Sequence, residues 1–428
     1  MVGAARRRVV AVLAGLVLVA GAALVVYRVF APGEVLAEPT STYPVAPTPR
    51  PPAVLGTLPA APLIVDGRLR VVADKRQVRA DGPVDSRYLN TPYWSFRRWP
   101  AELIGVVAAG GTVVTRWSDG ELVGLDARTG RDVWRAKGEK PAVPEYAGRR
   151  TGAQTVYAPP GLFLSGDTVV VAGPTRTQAF ALATGAPGWQ QPAQPCPTRP
   201  DPSGFSTADG RVAVLRACDS AVRLFDVATG AAAGVLDLPA HMGPETVLDP
   251  LDCATPRTAC AGVRVDSFAE RNAWLFVNGE IRPAGLSDDA RIGRPAPLAG
   301  PGAQLVGGLA VTVDGTAIVA SGIDDRAERW RRELGDPRLG DPDLTILAAA
   351  DGRVYVLTAD RDLVTLDGAS GAVVSRFRYT YFAEKTDWRP GWSYAAGGYL
   401  LTERLDDLDA PDDADYYFDP QPVILAAV

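Results

Sequence analysis

The chain has 428 residues, of which 47% are apolar and 22% charged, a balance that suits a folded protein and argues against a disordered one. Its length leaves open one large all-β unit or two to three ordinary domains, so internal repeats must decide. The net charge of −5 provides no basic field to draw the folded part to nucleic acid, and nucleic-acid binding is not expected.

Arg6, Arg7 and Arg8 precede an uncharged apolar run over residues 9–26, which Tyr27 and Arg28 close. Eighteen residues at about 1.5 Å each cover roughly 27 Å, close to the thickness of a bilayer core. The arginines should stay inside. The expectation is a short cytoplasmic segment (1–8), a transmembrane signal-anchor helix (9–30) and a single-pass protein of the cell membrane whose C-terminal domain is extracytoplasmic. A cleaved secretory signal is the alternative, with Val35-Leu36-Ala37 as a candidate site. A lipid anchor is excluded, since the first cysteine is Cys196. Residues 31–61 contain Pro32, Pro39, Pro44, Pro47, Pro49, Pro51, Pro52 and Pro59. Proline fixes φ and lacks an N–H, so this stretch is predicted to be an extended stalk.

From residue 62 onward a phrase recurs in which two short apolar runs are joined by a turn and followed by a second turn and an aromatic residue. The fullest copy predicts strands over 112–117 and 121–126, a hairpin at Asp119-Gly120, a turn at Arg128-Thr129-Gly130 and an aromatic, Trp134. Partial copies place the turn at Gly185 (with Trp189), Gly230 and Gly371 (with Phe377), and a degenerate copy places Arg326 in the turn with Trp330 after it. Asn278-Gly279, Asp81-Gly82 and Asp419-Pro420 fall at the remaining multiples of the spacing. Eight turns about 45 to 55 residues apart, with four short strands per period, predict an all-β propeller of four-stranded blades over 62–428. Eight blades fit best. Seven remain possible if the first and last copies combine into one.

The segments DGELVGLDARTGRDVW, RLFDVATG and LVTLDGASG resemble the repeats of pyrroloquinoline-quinone-type propellers. That group includes quinoprotein dehydrogenases and the lipoprotein scaffold of the outer-membrane protein assembly machine. The resemblance implies that the repeat tryptophan docks one blade on the next, which agrees with reading Trp134, Trp189 and Trp330 as buried packing residues. A quinone enzyme would bring a calcium ion, a catalytic aspartate and a vicinal disulfide. The chain has no Cys-Cys pair, and its three asparagines (Asn90, Asn272 and Asn278) lie in no matching context, so no cofactor is expected.

His241, the one histidine, cannot build a histidine metal cluster and is read as a surface turn residue. The acidic stretch 403–415 lacks the oxygen spacing of a calcium loop and is read as a solvated hairpin. Cys196, Cys218, Cys253 and Cys260 predict two disulfides in an oxidising compartment, with pairings 196–218 and 253–260 preferred among three connectivities. Two aromatic-rich segments, 88–100 and 378–394, should meet on one face near the ring's seam. Trp99, Trp388 and Trp392 are candidates for a partner surface there.

The function expected from these readings is non-enzymatic, an extracytoplasmic scaffold for a protein or cell-envelope partner. The alternatives are a carboxylate-dependent glycan hydrolase or lyase built on the propeller frame, and the extracytoplasmic subunit of a sensor, for which the few residues before the arginines leave no output domain.

Overall fold

The computed structural model of the chain describes residues 13–22, 33–86, 91–143, 145–146, 151–193, 202–216, 218–238, 246–266, 271–285, 297–300, 302–335, 344–381, 387–406 and 416–428. His241, Cys196 and most of the acidic stretch fall outside them. Among the described residues the strands form eight antiparallel sheets, the blades of a propeller. In chain order they are A (62–99), B (103–137), C (162–192), D (203–237), E (247–285), F (304–333), G (345–378) and H (389–427). The first strands of blades A to E touch in succession, as do those of blades F to H, and these inner strands line the axis.

Each blade is sandwiched between two neighbours, so its middle strands are buried on both faces and read as nearly continuous apolar runs. In blade B, Val113, Val114, Leu122, Val123 and Leu125 are all fully buried. The strands expected at 112–117 and 121–126 occur there as Thr112–Trp117 and Glu121–Asp126. The outer strand Asp132–Lys137 faces solvent, and only Trp134 of its six residues is buried.

The repeated turn has a local chemical cause. Asp126, Asp226 and Asp367 each end a third strand, and their carboxylates accept hydrogen bonds from Thr129, Thr229 and Ser370 respectively. These bonds close the turn before a residue of positive φ, such as Gly130 at +71°. The Thr229 hydroxyl and N–H hold the Asp226 carboxyl below the usual range.

The turn glycine also answers to the preceding blade. A Cβ added to Gly185 would lie 2.5 Å from the Trp134 ring of blade B. At Gly230 it would lie 2.4 Å from Trp189 of blade C, and at Gly371 2.5 Å from Trp330 of blade F. Each indole N–H donates to a carbonyl of the same turn: Trp134 to Leu182 at 2.8 Å, Trp189 to Val227 at 2.7 Å and Trp330 to Gly368 at 3.0 Å. Trp94 of blade A makes the equivalent bond to Ala127, with Gly130 beneath its ring.

Where no tryptophan arrives, the steric demand for glycine is absent. Gly234 occupies the tryptophan position of blade D, and nothing lies within 4 Å of a Cβ at Gly279. There Arg211 crosses instead, donating to the Gly279 carbonyl at 2.9 Å and lying 5.6 Å from the Phe276 ring centre. Blade E has Pro283 at the tryptophan position, opposite Trp274, and the turn of blade F carries Arg326 at φ +56°. The degenerate copy read in the sequence therefore has a steric explanation.

Of the expected stalk, residues 33–61 are described, and they are not free. Gly33–Ala37 adds a fifth strand to the outer edge of blade A, paired with Trp94–Trp99, and Ala53–Leu58 is the outer strand of blade H. An edge strand carries unpaired N–H and C=O groups, and a ring needs its last blade completed, so these segments gain hydrogen bonds that a stalk would forgo. Between them Tyr43 lies between Arg68 and Arg128, 5.5 and 5.2 Å from its ring centre, and Arg50 pairs with Asp85 at 2.6 Å. Asp419-Pro420 is accordingly a different turn. It precedes the third strand of blade H, Val423–Ala427, because the fourth comes from the N-terminal side.

No helix among the described residues is long and apolar enough to cross a membrane. Residues 13–22 are helical, and the rest of 9–30 lies outside the described residues.

Candidate functional site in the central channel

A loop of blade E reaches into the centre of the ring. Blade E's first two strands, Val247–Leu251 and Gly262–Asp266, are joined by a long hairpin loop instead of a tight turn. Cys253 and Cys260 are disulfide-bonded across it, as the preferred pairing has it. Cys218 is disulfide-bonded as well, while Cys196, its preferred partner, is outside the described residues. The loop is stitched to blade D, with Cys260 N–H donating to Ser206 at 2.8 Å and Ala208 N–H donating to Cys260 at 2.9 Å. Asp252, Arg257 and Ala259 adopt positive φ of 50 to 58°, a strained backbone that the disulfide and these bonds hold in place.

The loop tip, Thr255 to Arg257, lines two separate cavities and therefore stands near the axis. One cavity, about 40 Å³, is mostly apolar and faces blades A to C. The other, about 400 Å³, faces blades E to H. Its wall carries Asp249 and Asp266 of blade E, Asp252 of the loop, Gln304 of blade F and Trp392, Ser393 and Tyr394 of blade H.

A second insertion completes the wall. The connection from blade B to blade C contains a short helix, Ala153–Tyr157, whose Tyr157 ring packs 5.2 Å from Tyr394 and 6.5 Å from Trp392. Gly152 at its start has φ +68°, and a Cβ there would lie 2.7 Å from the Ala73 carbonyl. Thr151 just before it accepts the Ala61 N–H at 2.8 Å and donates its hydroxyl to the buried Glu403 of blade H. The insertion thus ties together the two blades that meet at the ring's seam.

The electrostatics of the larger cavity come from carboxylates in a confined space. Burial pushes the Asp249 carboxyl above its ordinary range, and Asp266 pushes it further, against the pull of Arg264 and Arg257. Arg264 pairs with Asp249 while donating to the Ala303 carbonyl at 2.8 Å. Burial likewise raises Asp252, opposed by an N–H from Gly307. Burial lowers the Arg257 guanidinium, opposed by Asp249. A cavity lined by carboxylates and by the half-exposed Trp392 can receive a cation or the hydroxyls and ring face of a sugar.

The three tryptophans expected to form a partner surface are separated. Trp388, in the connection from blade G to blade H, is fully buried, with Tyr379 at its edge and Arg361 stacked 4.5 Å over its ring. A buried indole offers nothing to a partner. Trp99 ends the outer strand of blade A, half-buried beneath the Arg76 guanidinium at 3.9 Å. Trp392, 36% exposed, lies within the inner strand of blade H.

Asp249, Asp252 and Asp266 were not singled out from the sequence. The available signal was weak: the first strand of blade E, VLDPL, carries a carboxylate where the other inner strands carry apolar or small residues in their middles.

A family model described as outer membrane protein assembly factor BamB matches residues 9–233 and 277–417, more than half of the chain. No curated protein matches the sequence. Among solved structures, BamB from Moraxella catarrhalis is 15% identical, with a TM-score of 0.46, over 92% of this chain and 99% of that one. A europium-containing methanol dehydrogenase is 13% identical, with a TM-score of 0.45, over 88% of this chain and 92% of that one. The quinohemoprotein alcohol dehydrogenase from Comamonas testosteroni is 14% identical, with a TM-score of 0.40, over 92% of this chain and 76% of that one.

Proposed function

The chain belongs to the family of the outer membrane protein assembly factor BamB, and from that premise we propose that it is a non-enzymatic, membrane-anchored scaffold. In this reading it is displayed outside the cytoplasm and binds a protein partner of the cell envelope at its central channel. The apolar run over 9–26 behind three arginines supports the anchor, and the disulfides suit an oxidising compartment.

The observation that carries the binding site is the cavity of about 400 Å³ whose wall Trp392 shares with Asp249 and Asp252. A partner loop that inserts a basic side chain would stack it on the indole and pair it with carboxylates already held in place. The test is capture of partners from solubilised membranes by the full chain and by its Trp392→Ala and Asp252→Asn variants. Both variants should keep the wild-type melting temperature within a few degrees and lose most of the captured protein. A captured set unchanged by either substitution would defeat this site.

A second reading rests on the same carboxylates. Glycan cleavage needs two carboxyl groups in one cavity, one protonated as the acid and the other ionised as base or nucleophile, and the cavity holds three aspartates, of which burial raises Asp249 and Asp252 toward the acid's role. Release of reducing ends from cell-wall glycan by the wild type, abolished in Asp249→Asn, would favour the enzyme over the scaffold.

A further inference from the structure

The N-terminal strand constrains how the propeller sits. Gly33 is paired with Trp99 and Ala37 with Ser95, so the strand begins at the corner of blade A where the outer strand ends. It is firmly held there. Arg98 binds Glu34 at 2.8 Å, Asp119 at 3.2 Å and Glu121, and Arg135 reaches Glu34 at 2.6 Å.

Only Ala31 and Pro32 separate Gly33 from Phe30, where the expected anchor helix ends. Three residue steps span at most about 11 Å. A free stalk of the expected length would have spanned nearly 100 Å at about 3.1 Å per residue. The corner itself has a composition suited to headgroups. Lys75 and Arg97 are exposed, Arg76 stacks on Trp99, and Glu102 pairs with Lys75 at 3.1 Å and Arg76 at 3.4 Å. An indole beside cations is the composition found at the interfacial level of membranes.

We propose that this corner of blade A, built from Lys75, Arg76, Arg97 and Trp99, rests on anionic lipid headgroups. The propeller then stands on its rim, with blade E, opposite in the ring of eight, farthest from the bilayer. Both ends of the channel open sideways, and a partner reaches the cavity without meeting the membrane. This inference rests on the membrane-anchor reading above.

The experiment uses the full chain in vesicles of phosphatidylglycerol and phosphatidylcholine that contain a headgroup nitroxide lipid. The described cysteines are all in disulfides, so single fluorophores can be placed at Asp74→Cys, exposed beside Lys75 on blade A, and at Arg282→Cys on the outer strand of blade E. Quenching at position 74 should exceed that at 282 at least threefold, and should fall at least twofold in vesicles of phosphatidylcholine alone. Equal quenching at the two positions, or stronger quenching at 282, would overturn the seating. Quenching at 74 indifferent to lipid charge would overturn the headgroup contact. Carbonate extraction of the same vesicles separates the two levels. A chain released by carbonate defeats the anchor on which the inference stands, whereas a retained chain with equal quenching defeats the inference alone.

Discussion

Replacing Gly185 by alanine places a methyl group 2.5 Å from the Trp134 ring at a backbone φ of +67°. Two costs add. An L-residue in the left-handed region loses about 1–2 kcal/mol, and a methyl forced into a filled site costs about 1–3 kcal/mol, for a total of about 2–5 kcal/mol. Gly279 is the internal control, because its φ is +83° but nothing lies within 4 Å of an added Cβ. Gly279→Ala should therefore cost only the backbone share, about 1–2 kcal/mol. At about 2.1 cal/mol/K per residue, a ring of this size shifts its melting temperature by roughly 1.3 °C per kcal/mol. The full chain in detergent, followed by circular dichroism on heating, should then lose about 3–6 °C with Gly185→Ala and about 1–3 °C with Gly279→Ala. In a Trp134→Ala background the methyl has room, and the added cost of Gly185→Ala should drop to that of Gly279→Ala, a coupling of about 1–3 kcal/mol. Equal losses in the two single variants, or no coupling in the double variant, would refute the pairing of indole and glycine across blades.

Three further outcomes are expected. Cys253→Ser with Cys260→Ser opens a loop with a sequence separation of 7, and chain entropy assigns that closure about 2.4 kcal/mol, to be read as a lowered melting temperature. Because burial raises the Asp252 carboxyl above the ordinary 3.8, the folded chain keeps that proton to higher pH than the unfolded chain does. Its contribution to stability falls as pH rises from near 4 through the raised value, so Asp252→Asn should be the more stable protein at pH 7, and the difference should vanish at low pH in paired melts. Arg98→Ala strands Glu34, Asp119 and Glu121 without their shared cation and should cost about 2–3 kcal/mol, less than a fully buried pair because the carboxylates stay partly wet. The same change should loosen the strand Gly33–Ala37, seen as faster protease cleavage between residues 37 and 53.

Much of the fold was legible because it is written in short-range chemistry that repeats. Strand runs, Asp-to-Thr turns and a spacing of about fifty residues depend on neighbours a few positions away, and they led to eight four-stranded blades. What decided the degenerate copies was a contact across blades. Arg326 can replace a turn glycine because Pro283, in the blade before, presents no indole, and a single repeat cannot show that. The residues between 31 and 61 read as a stalk because proline content reports backbone stiffness and not whether an open sheet edge waits nearby. Their place in blades A and H depended on the ring leaving one edge free and one blade a strand short. The aromatic segments misled for a similar reason, since composition cannot tell an indole sealed under Arg361 from one open to the channel, as Trp388 and Trp392 are. The site itself is the clearest case. Asp249 and Asp252 come from blade E, Trp392 from blade H and Tyr157 from an insertion after blade B. Local sequence determined each residue's strand, loop or turn, but only the closing of the ring brought these four around one cavity, because distances across the axis have no counterpart in distance along the chain.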